Sequence, residues 1–103
     1  MSGPLPIRVV TSAATAIREA AEWWAANRLK APDAFSEELK RAFQLIASHP
    51  GIGARAQNVL LPDVRRIHLA RVHYHLYYRV RTDSPAIEVL ALWHTSRGTE
   101  PPL

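Results

Sequence analysis

The sequence predicts an α+β protein, in which a helical hairpin packs on one face of a mostly antiparallel, four-stranded sheet. Three observations predict this class. A short β-branched run opens the chain, two segments with apolar residues every three or four positions follow it, and the second half turns to strand patterns. The predicted order is β-α-α-β-β-β. A chain of 103 residues is too short to bury two separate cores, so we expect one domain over residues 1–103.

The first strand and the first helix are predicted from the residues before position 30. The strand covers 7–11, where β-branched side chains favour extended backbone. Ser12 is the predicted N-cap of the helix, which runs from about Ala13 to Leu29. Its apolar stripe consists of Ala13, Ile17, Ala20 and Trp24. Trp23 and Trp24 lie about 100° apart around this helix, so we expect at least one at the edge of a contact surface.

A second amphipathic helix is predicted from about Ala34 to Ser48, with Asp33 as its cap. Its apolar residues are Phe35, Leu39, Phe43 and Ile46. The connection between the helices is short, which indicates an antiparallel hairpin. The segment His49-Pro-Gly-Ile-Gly53 ends the second helix. Residues 54–63 show no clear period, and a loop is predicted there.

Three strands are predicted in the second half. Residues 65–69 alternate polar and apolar side chains. Residues 72–81 place two sets of side chains on opposite faces: Tyr74, Leu76, Tyr78 and Val80 on one, and His73, His75, Tyr77, Arg79 and Arg81 on the other. A turn is predicted over 82–85. Residues 87–93 are nearly all apolar, which predicts a strand covered on both sides. The proline-rich tail after residue 94 shows no third helix.

The charge is concentrated as arginine in the second half. The net charge is +4, and residues 51–103 carry seven basic side chains, all arginine, against four acidic ones. Such a surface is either a solvated basic face or a binding face for nucleic acid or an acidic partner. The absence of cysteine excludes disulfides and thiolate catalysis. Two prolines and an arginine interrupt the first eight residues, so we expect neither a signal peptide nor a membrane span, and a cytoplasmic location.

Several motifs, in this order and at this spacing, resemble the ParE/RelE toxin superfamily over nearly the whole chain. They are the opening strand with its helical hairpin, the hinge Ser48-His-Pro-Gly-Ile-Gly53, the segment Val64-Arg-Arg-Ile-His-Leu-Ala-Arg-Val-His-Tyr-His-Leu-Tyr-Tyr-Arg-Val80, and Ile87-Glu-Val-Leu-Ala-Leu-Trp-His94 followed by Arg97. The resemblance implies a toxin of a type II toxin–antitoxin system, bound by an antitoxin whose C-terminal segment wraps it. ParE-type members inhibit DNA gyrase, whereas RelE-type members cut messenger RNA on the ribosome.

The choice between these branches depends on the catalytic chemistry. RNA cleavage without a metal needs a base, an acid and cationic donors for the phosphate. The candidates are Arg65, Arg79, His94 and Arg97, with Tyr77 or Tyr78 as an acid. RelE-type enzymes often carry a tyrosine or histidine at the extreme C-terminus, and Gly-Thr-Glu-Pro-Pro-Leu103 supplies neither. We therefore expect a ParE-type gyrase inhibitor that acts by binding, with a ribosome-dependent endoribonuclease as the alternative.

The predicted binding residues for antitoxin or target are Trp23, Trp24, Arg65, Arg79, Arg81 and Arg97. The partners are a ParD-like ribbon-helix-helix antitoxin and gyrase, or the ribosome and messenger RNA in the alternative. Structural roles compete with these assignments: His94 can pin the tail through a backbone carbonyl, and Arg97 can pair with Glu100. His73 and His75 lack a third ligand nearby, so no metal or other cofactor is expected.

Overall fold

The computed structural model describes residues 3–103, and within them two helices pack on one five-stranded sheet. The elements are β1 (Ile7–Val9), α1 (Thr11–Asn27), α2 (Ala34–Ser48), β2 (Ala54–Arg55), β3 (Arg65–Leu69), β4 (Tyr74–Arg81) and β5 (Ala86–His94). The strand order is β1-β5-β4-β3-β2. β1 runs parallel to β5 and all other neighbours are antiparallel, which confirms the α+β class and the mostly antiparallel sheet.

The prediction of four strands was wrong by one. The additional strand is β2, in the segment for which a loop was predicted, and it pairs with the first two residues of β3. Two exposed residues are too few to produce an alternating pattern, so the sequence carries no signal for this strand. β2 protects the start of β3 at the edge of the sheet.

The helices cover one face of the sheet and form the main core. Phe35 and Ile46 of α2 pack there against Leu76, Tyr78 and Ile87, and each of these five side chains is at most 1% exposed. The predicted apolar face of β4 is therefore confirmed. Burial of this many large apolar groups is the main stabilising contribution to such a fold.

The opposite face of the sheet holds a smaller core under the C-terminal tail. Tyr77, Val64 and Leu90 are buried there, and Leu103 packs against them. The Leu60 amide donates to the Leu103 carbonyl at 2.7 Å, which ties the tail to the loop before β3. β5 is thus covered on both faces, as its apolar sequence predicted.

Local details differ from the sequence predictions at element ends. The N-cap of α1 is Val10, two residues earlier than the predicted cap Ser12, and no side chain caps the helix. Asp33 is the N-cap of α2, but it contributes its backbone carbonyl and not its carboxylate. His73 lies in the turn between β3 and β4 with φ of 65°, so it does not share a strand face with His75. Neither helix within residues 3–103 is long and apolar enough to cross a membrane.

Candidate functional site

Three of the predicted arginines lie along the sheet, and each is held by a partner. Arg65 donates from Nη1 to the Gly53 carbonyl at 2.7 Å. Arg79 donates from Nε to Glu88 Oε1, also at 2.7 Å, with both side chains 24% exposed. Arg81 forms two hydrogen bonds to the carboxylate of Asp83, at 3.3 and 3.1 Å. Each of these guanidinium groups is bound to another group of the same chain, although Arg81 remains 40% exposed.

The two predicted residues at the C-terminal end of β5 lie close in sequence but bind different neighbours. The Arg97 guanidinium stacks over Trp93, with Cζ 4.0 Å from the ring centroid. The acid Glu100, considered above as its partner, binds instead to the Tyr77 hydroxyl at 2.9 Å. His94 Nδ1 accepts a hydrogen bond from the Ser96 amide at 3.1 Å and lies 2.7 Å from the Ser96 hydroxyl.

The four residues of the nuclease hypothesis do not form one cluster. His94 pairs with Tyr74 across the sheet, whereas Arg79 pairs with Glu88. Tyr74 and Arg79 are five residues apart on β4, a separation of roughly 17 Å at 3.3–3.4 Å per residue. The odd offset also places them on opposite faces of the strand. A single phosphate cannot contact side chains so arranged.

Tyr77 and Tyr78, the candidate acids, are both buried and hydrogen-bonded. Burial raises the pKa of each phenol above its ordinary value of 10.0. Tyr78 donates to the Pro50 carbonyl at 2.8 Å and accepts from the Gly53 amide at 2.9 Å. Both tyrosines are at most 1% exposed, and their hydroxyl groups are hydrogen-bonded within the fold. We therefore assign them a structural role.

A groove opens at the other end of the sheet, between the last turn of α1, the β3–β4 turn and the end of β5. Its volume is about 380 Å³, and it is lined by Trp23, Trp24, Arg28, Val72, His73, Tyr74 and His94. We call it the Trp groove. It brings together the two tryptophans predicted as binding residues and His94 from the nuclease set.

The aromatic walls of the Trp groove are fixed by edge-to-face contacts. The rings of Trp23 and Trp24 lie 6.0 Å apart at 73°, and Arg28 stacks on both, at 4.8 and 5.4 Å. Tyr74 meets the ring of His94 edge-on at 5.0 Å. Such aromatic pairs restrict rotamers, so the groove is formed before any partner arrives.

Cationic and neutral side chains alone line the Trp groove. Arg28 is the permanent cation, and His73 and His94 add two imidazole rings. No Asp or Glu of residues 3–103 lines it. Trp23 remains 47% exposed despite its size. The groove therefore suits a partner that brings an apolar anchor together with carboxylates.

Sequence reasoning missed Arg28, His73 and Tyr74 as parts of this site. The position of Arg28 beside the tryptophans could have been predicted, because it follows Trp24 by four positions and so lies on the same side of α1. His73 had none, since its position depends on a left-handed backbone conformation in the turn. Tyr74 was placed on the strand face that holds Leu76 and Tyr78, and it packs against Phe35 while its other side borders the groove.

Two histidines face each other on the tail-covered side of the sheet. His68 and His75 are direct cross-strand partners with ring centroids 5.0 Å apart. Burial lowers the pKa of His75 below 6.5, and the charges of Arg66 and His68 lower it further. Within residues 3–103 no three His, Asp or Glu side chains are placed to hold a metal ion.

One family model and a solved structure are similar to this chain. A family model described as the ParE toxin of the type II toxin–antitoxin system parDE matches residues 7–98. Among solved structures, the chain is similar to a chain of the chromosomal ParDE TA system from P. aeruginosa. The TM-score is 0.66 and the identity 20%, over 92% of this chain and 100% of the other. At that identity the likeness concerns the fold alone. No curated protein matches the chain.

Proposed function

Because this chain belongs to the ParE toxin family of type II toxin–antitoxin systems, we propose that it arrests growth by binding DNA gyrase and that a cognate antitoxin neutralises it. In this proposal the protein acts in the cytoplasm and performs no chemical step. The inhibition arises because a bound toxin prevents gyrase from completing its cycle, and neutralisation arises because the antitoxin covers the toxin's binding surface.

The observation that carries the antitoxin half of the proposal is the Trp groove. A partner helix with an apolar side chain seated between Trp24 and Tyr74 would bury aromatic surface of the kind that dominates binding energy. Carboxylates on the same helix would meet Arg28 and the two histidines of the groove. A ParD-like ribbon-helix-helix protein with an acidic tail has this chemistry.

A binding role is supported by the internal contacts of the other residues considered for the nuclease hypothesis. Arg65 and Arg79 are each bound to a partner at 2.7 Å, and the phenols of Tyr77 and Tyr78 are buried. A metal-independent nuclease would need such groups free and gathered around one phosphate. The arrangement here stabilises the fold and leaves the charged surface for contact with another macromolecule.

The surface proposed for gyrase is the exposed rim of the sheet. It includes Arg81 and Arg97, which retain contact with solvent while their guanidinium groups are held by Asp83 and Trp93. A guanidinium fixed in this way loses little freedom on binding. The proposal assigns Arg65 and Arg79 to positioning this surface.

A supercoiling assay tests the target. Purified toxin is titrated into gyrase acting on relaxed plasmid DNA, with and without the cognate antitoxin. We expect loss of supercoiling or trapped cleavage complexes, and recovery when the antitoxin is added. Undiminished supercoiling, together with messenger RNA cleaved within reading frames after induction, would replace gyrase with the ribosome as the target.

A further inference from the structure

Arg28 carries a charge that no acidic side chain of residues 3–103 neutralises. Six other arginines form ion pairs with Asp or Glu, and Arg28 is not among them. Its contacts are aromatic, with Cζ 4.8 Å from the ring centroid of Trp23 and 5.4 Å from that of Trp24. A positive charge without a counter-ion at the wall of a cavity indicates a site for an anion.

The Arg28 guanidinium is not needed to cap the end of α1. The Asn27 side-chain amide donates to the Trp23 carbonyl at 2.8 Å, and the Arg28 backbone amide donates to the Trp24 carbonyl at 2.9 Å. These two helix-end carbonyls are therefore satisfied by other groups. A guanidinium that stacks on an aromatic face keeps its in-plane N–H donors, and their fork matches the oxygens of a phosphate.

Two imidazole rings add further hydrogen-bonding groups to the same cavity. His94 Nδ1 accepts from the Ser96 amide at 3.1 Å, so the neutral ring carries its proton on Nε2 and can donate from there. His73 is held in its turn by its backbone: its amide donates to the Leu69 carbonyl and its carbonyl accepts from the Thr95 amide, both at 2.9 Å. A guanidinium with two imidazoles supplies the several donors that a phosphate needs.

The aromatic side chains of the Trp groove offer surface on which a flat ring can stack. Trp23 is 47% exposed and keeps much of its indole open to a ligand. Tyr74 is held in position by edge-on contacts with Phe35 at 5.5 Å and with His94 at 5.0 Å. Nucleobases stack on tryptophan and tyrosine rings, and such stacking accepts any base because every base has a π face. The walls therefore suit a flat aromatic group beside an anion.

The size and the lining of the Trp groove distinguish it from other cavities of the molecule. Its volume of about 380 Å³ lies within the range of about 300–1,000 Å³ that is typical of small-molecule sites. The cavity beside the turn at 82–85 is lined by Asp63 and Asp83, and the cavity against α2 is lined by Glu38. These carboxylates would repel an anion, whereas none from residues 3–103 lines the Trp groove.

We propose that the Trp groove binds a nucleoside phosphate, with the base stacked on Trp23 and the phosphate bound by Arg28 and the imidazoles of His73 and His94. A nucleotide joins a flat π system and an anion in one small molecule, which is the combination that the groove accommodates. Stacking reads no base edge, so nucleotides with different bases should bind with similar affinity. The site needs no partner protein, so the proposal is independent of the proposed function.

Nuclear magnetic resonance of the indole N–H groups tests the site in the free protein. The chain has three tryptophans, and Trp93 donates its indole N–H to the Thr99 carbonyl, outside the groove lining. Titration with AMP should therefore shift the indole signals of Trp23 and Trp24 and leave that of Trp93 in place. Adenosine, which lacks the phosphate, and ribose 5-phosphate, which lacks the base, should each bind about tenfold more weakly than AMP.

Matched variants on α1 separate a built site from general attraction to a basic protein. Arg28→Gln should weaken AMP binding about tenfold, whereas Arg18→Gln, at an exposed arginine that pairs with Glu22 outside the lining, should leave it within about twofold. Trp23→Leu should weaken it about fivefold or more. Thermal unfolding shows that each variant is folded. The site is wrong if AMP shifts no indole signal, if Trp93 shifts equally, if ribose 5-phosphate binds as tightly as AMP, or if the two arginine variants bind AMP alike.

Competition with the antitoxin is a consequence that rests on the proposed function, which places the antitoxin in the same groove. AMP at about ten times its dissociation constant should then raise the apparent dissociation constant of the antitoxin about tenfold. Titration calorimetry with and without AMP measures this change. An unchanged antitoxin affinity with AMP bound would overturn the placement of the antitoxin in the groove, whereas the absence of AMP binding would overturn the nucleotide site alone.

Discussion

The two ends of the sheet use their polar groups in opposite ways. At one end, around Gly53, the Tyr78 hydroxyl bonds to both Gly53 and Pro50, and Arg65 binds the Gly53 carbonyl. We call this the Gly53 end. At the other end, Arg28 and the two histidines of the Trp groove face solvent beside a tryptophan that is 47% exposed.

This difference separates structural residues from binding residues better than residue type does. Arginine and tyrosine are found at both ends. At the Gly53 end each donor has an acceptor within the fold, so removing one should cost stability and leave partner binding unchanged. At the Trp groove the same kinds of groups lack carboxylate neighbours, so their removal should cost affinity and little stability.

The largest expected effect is on stability at the Gly53 end. A Cβ at Gly53 would lie 2.7 Å from the Tyr78 hydroxyl oxygen and 2.8 Å from the Arg66 carbonyl. Gly53→Ala should therefore lower the free energy of unfolding by about 2–4 kcal/mol, from overpacking and the strained buried hydrogen bond. Urea unfolding measures it. Gly51→Ala is the control, since nothing lies within 4 Å of its Cβ, and an equal loss in both variants would contradict the packing argument.

The next effect is on affinity at the other end. Trp24→Ala should weaken binding of the antitoxin about thirtyfold, the equivalent of roughly 2 kcal/mol for the loss of an aromatic anchor. Titration calorimetry measures the dissociation constant. Leu29→Ala removes a side chain that is 81% exposed and lies outside the groove lining, so it should change affinity less than twofold. If Trp24→Ala and Leu29→Ala bind the antitoxin with equal affinity, the Trp groove is not part of the interface.

A smaller effect is expected at the tail, which tests whether it belongs to the structural set. Glu100 accepts from the Tyr77 hydroxyl and lies 3.9 Å from Arg66, with both charged side chains about one third exposed. Glu100→Ala should lower the free energy of unfolding by about 1 kcal/mol, because solvent screens most of the ion pair. Chemical unfolding of the variant beside Glu37→Ala, whose Arg71 pair is more exposed, gives the comparison. Equal free energies of unfolding for Glu100→Ala and Glu37→Ala would show that the contacts of the tail do not stabilise the fold.

The smallest effect is a pH dependence from His75. Its pKa is lowered in the folded protein, chiefly by burial and further by Arg66 and His68, against a slight opposing effect of Glu100. The unfolded chain therefore binds the proton more readily. Stability is complete above about pH 6.5 and decreases as the pH falls through that value towards the lowered pKa. The free energy of unfolding is measured for the wild type and for His75→Gln at about pH 7.5 and 5.5. Between these two pH values it should decrease less in the variant than in the wild type.

The sequence predicted the structure best where a periodic pattern extends over many residues. α2 and β3 have the predicted bounds, and the alternation in β4 predicted the burial of Tyr78. β2 was missed because two residues carry no period. The Arg79–Glu88 pair was missed because it depends on the register of a hairpin, although counting back from the turn at 82–85 places these two residues opposite each other.

The candidate site was predicted only in parts. Trp23 and Trp24 were identified from their spacing on one helix, and His94 from its place at the end of a strand. That all three border one groove depends on how α1 crosses the sheet and on the turn conformation of His73. Such long-range packing leaves no periodic trace in the sequence.

The central claim is that the antitoxin binds the unpaired cationic end of the molecule and not the internally paired arginines. The most direct measurement is the dissociation constant of the antitoxin for Arg28→Glu and for Arg79→Gln, with unfolding curves for both. We predict that Arg28→Glu weakens binding about tenfold or more with unchanged stability, and that Arg79→Gln lowers stability but changes affinity less than about twofold. Full affinity in Arg28→Glu and a large loss in Arg79→Gln would contradict the account.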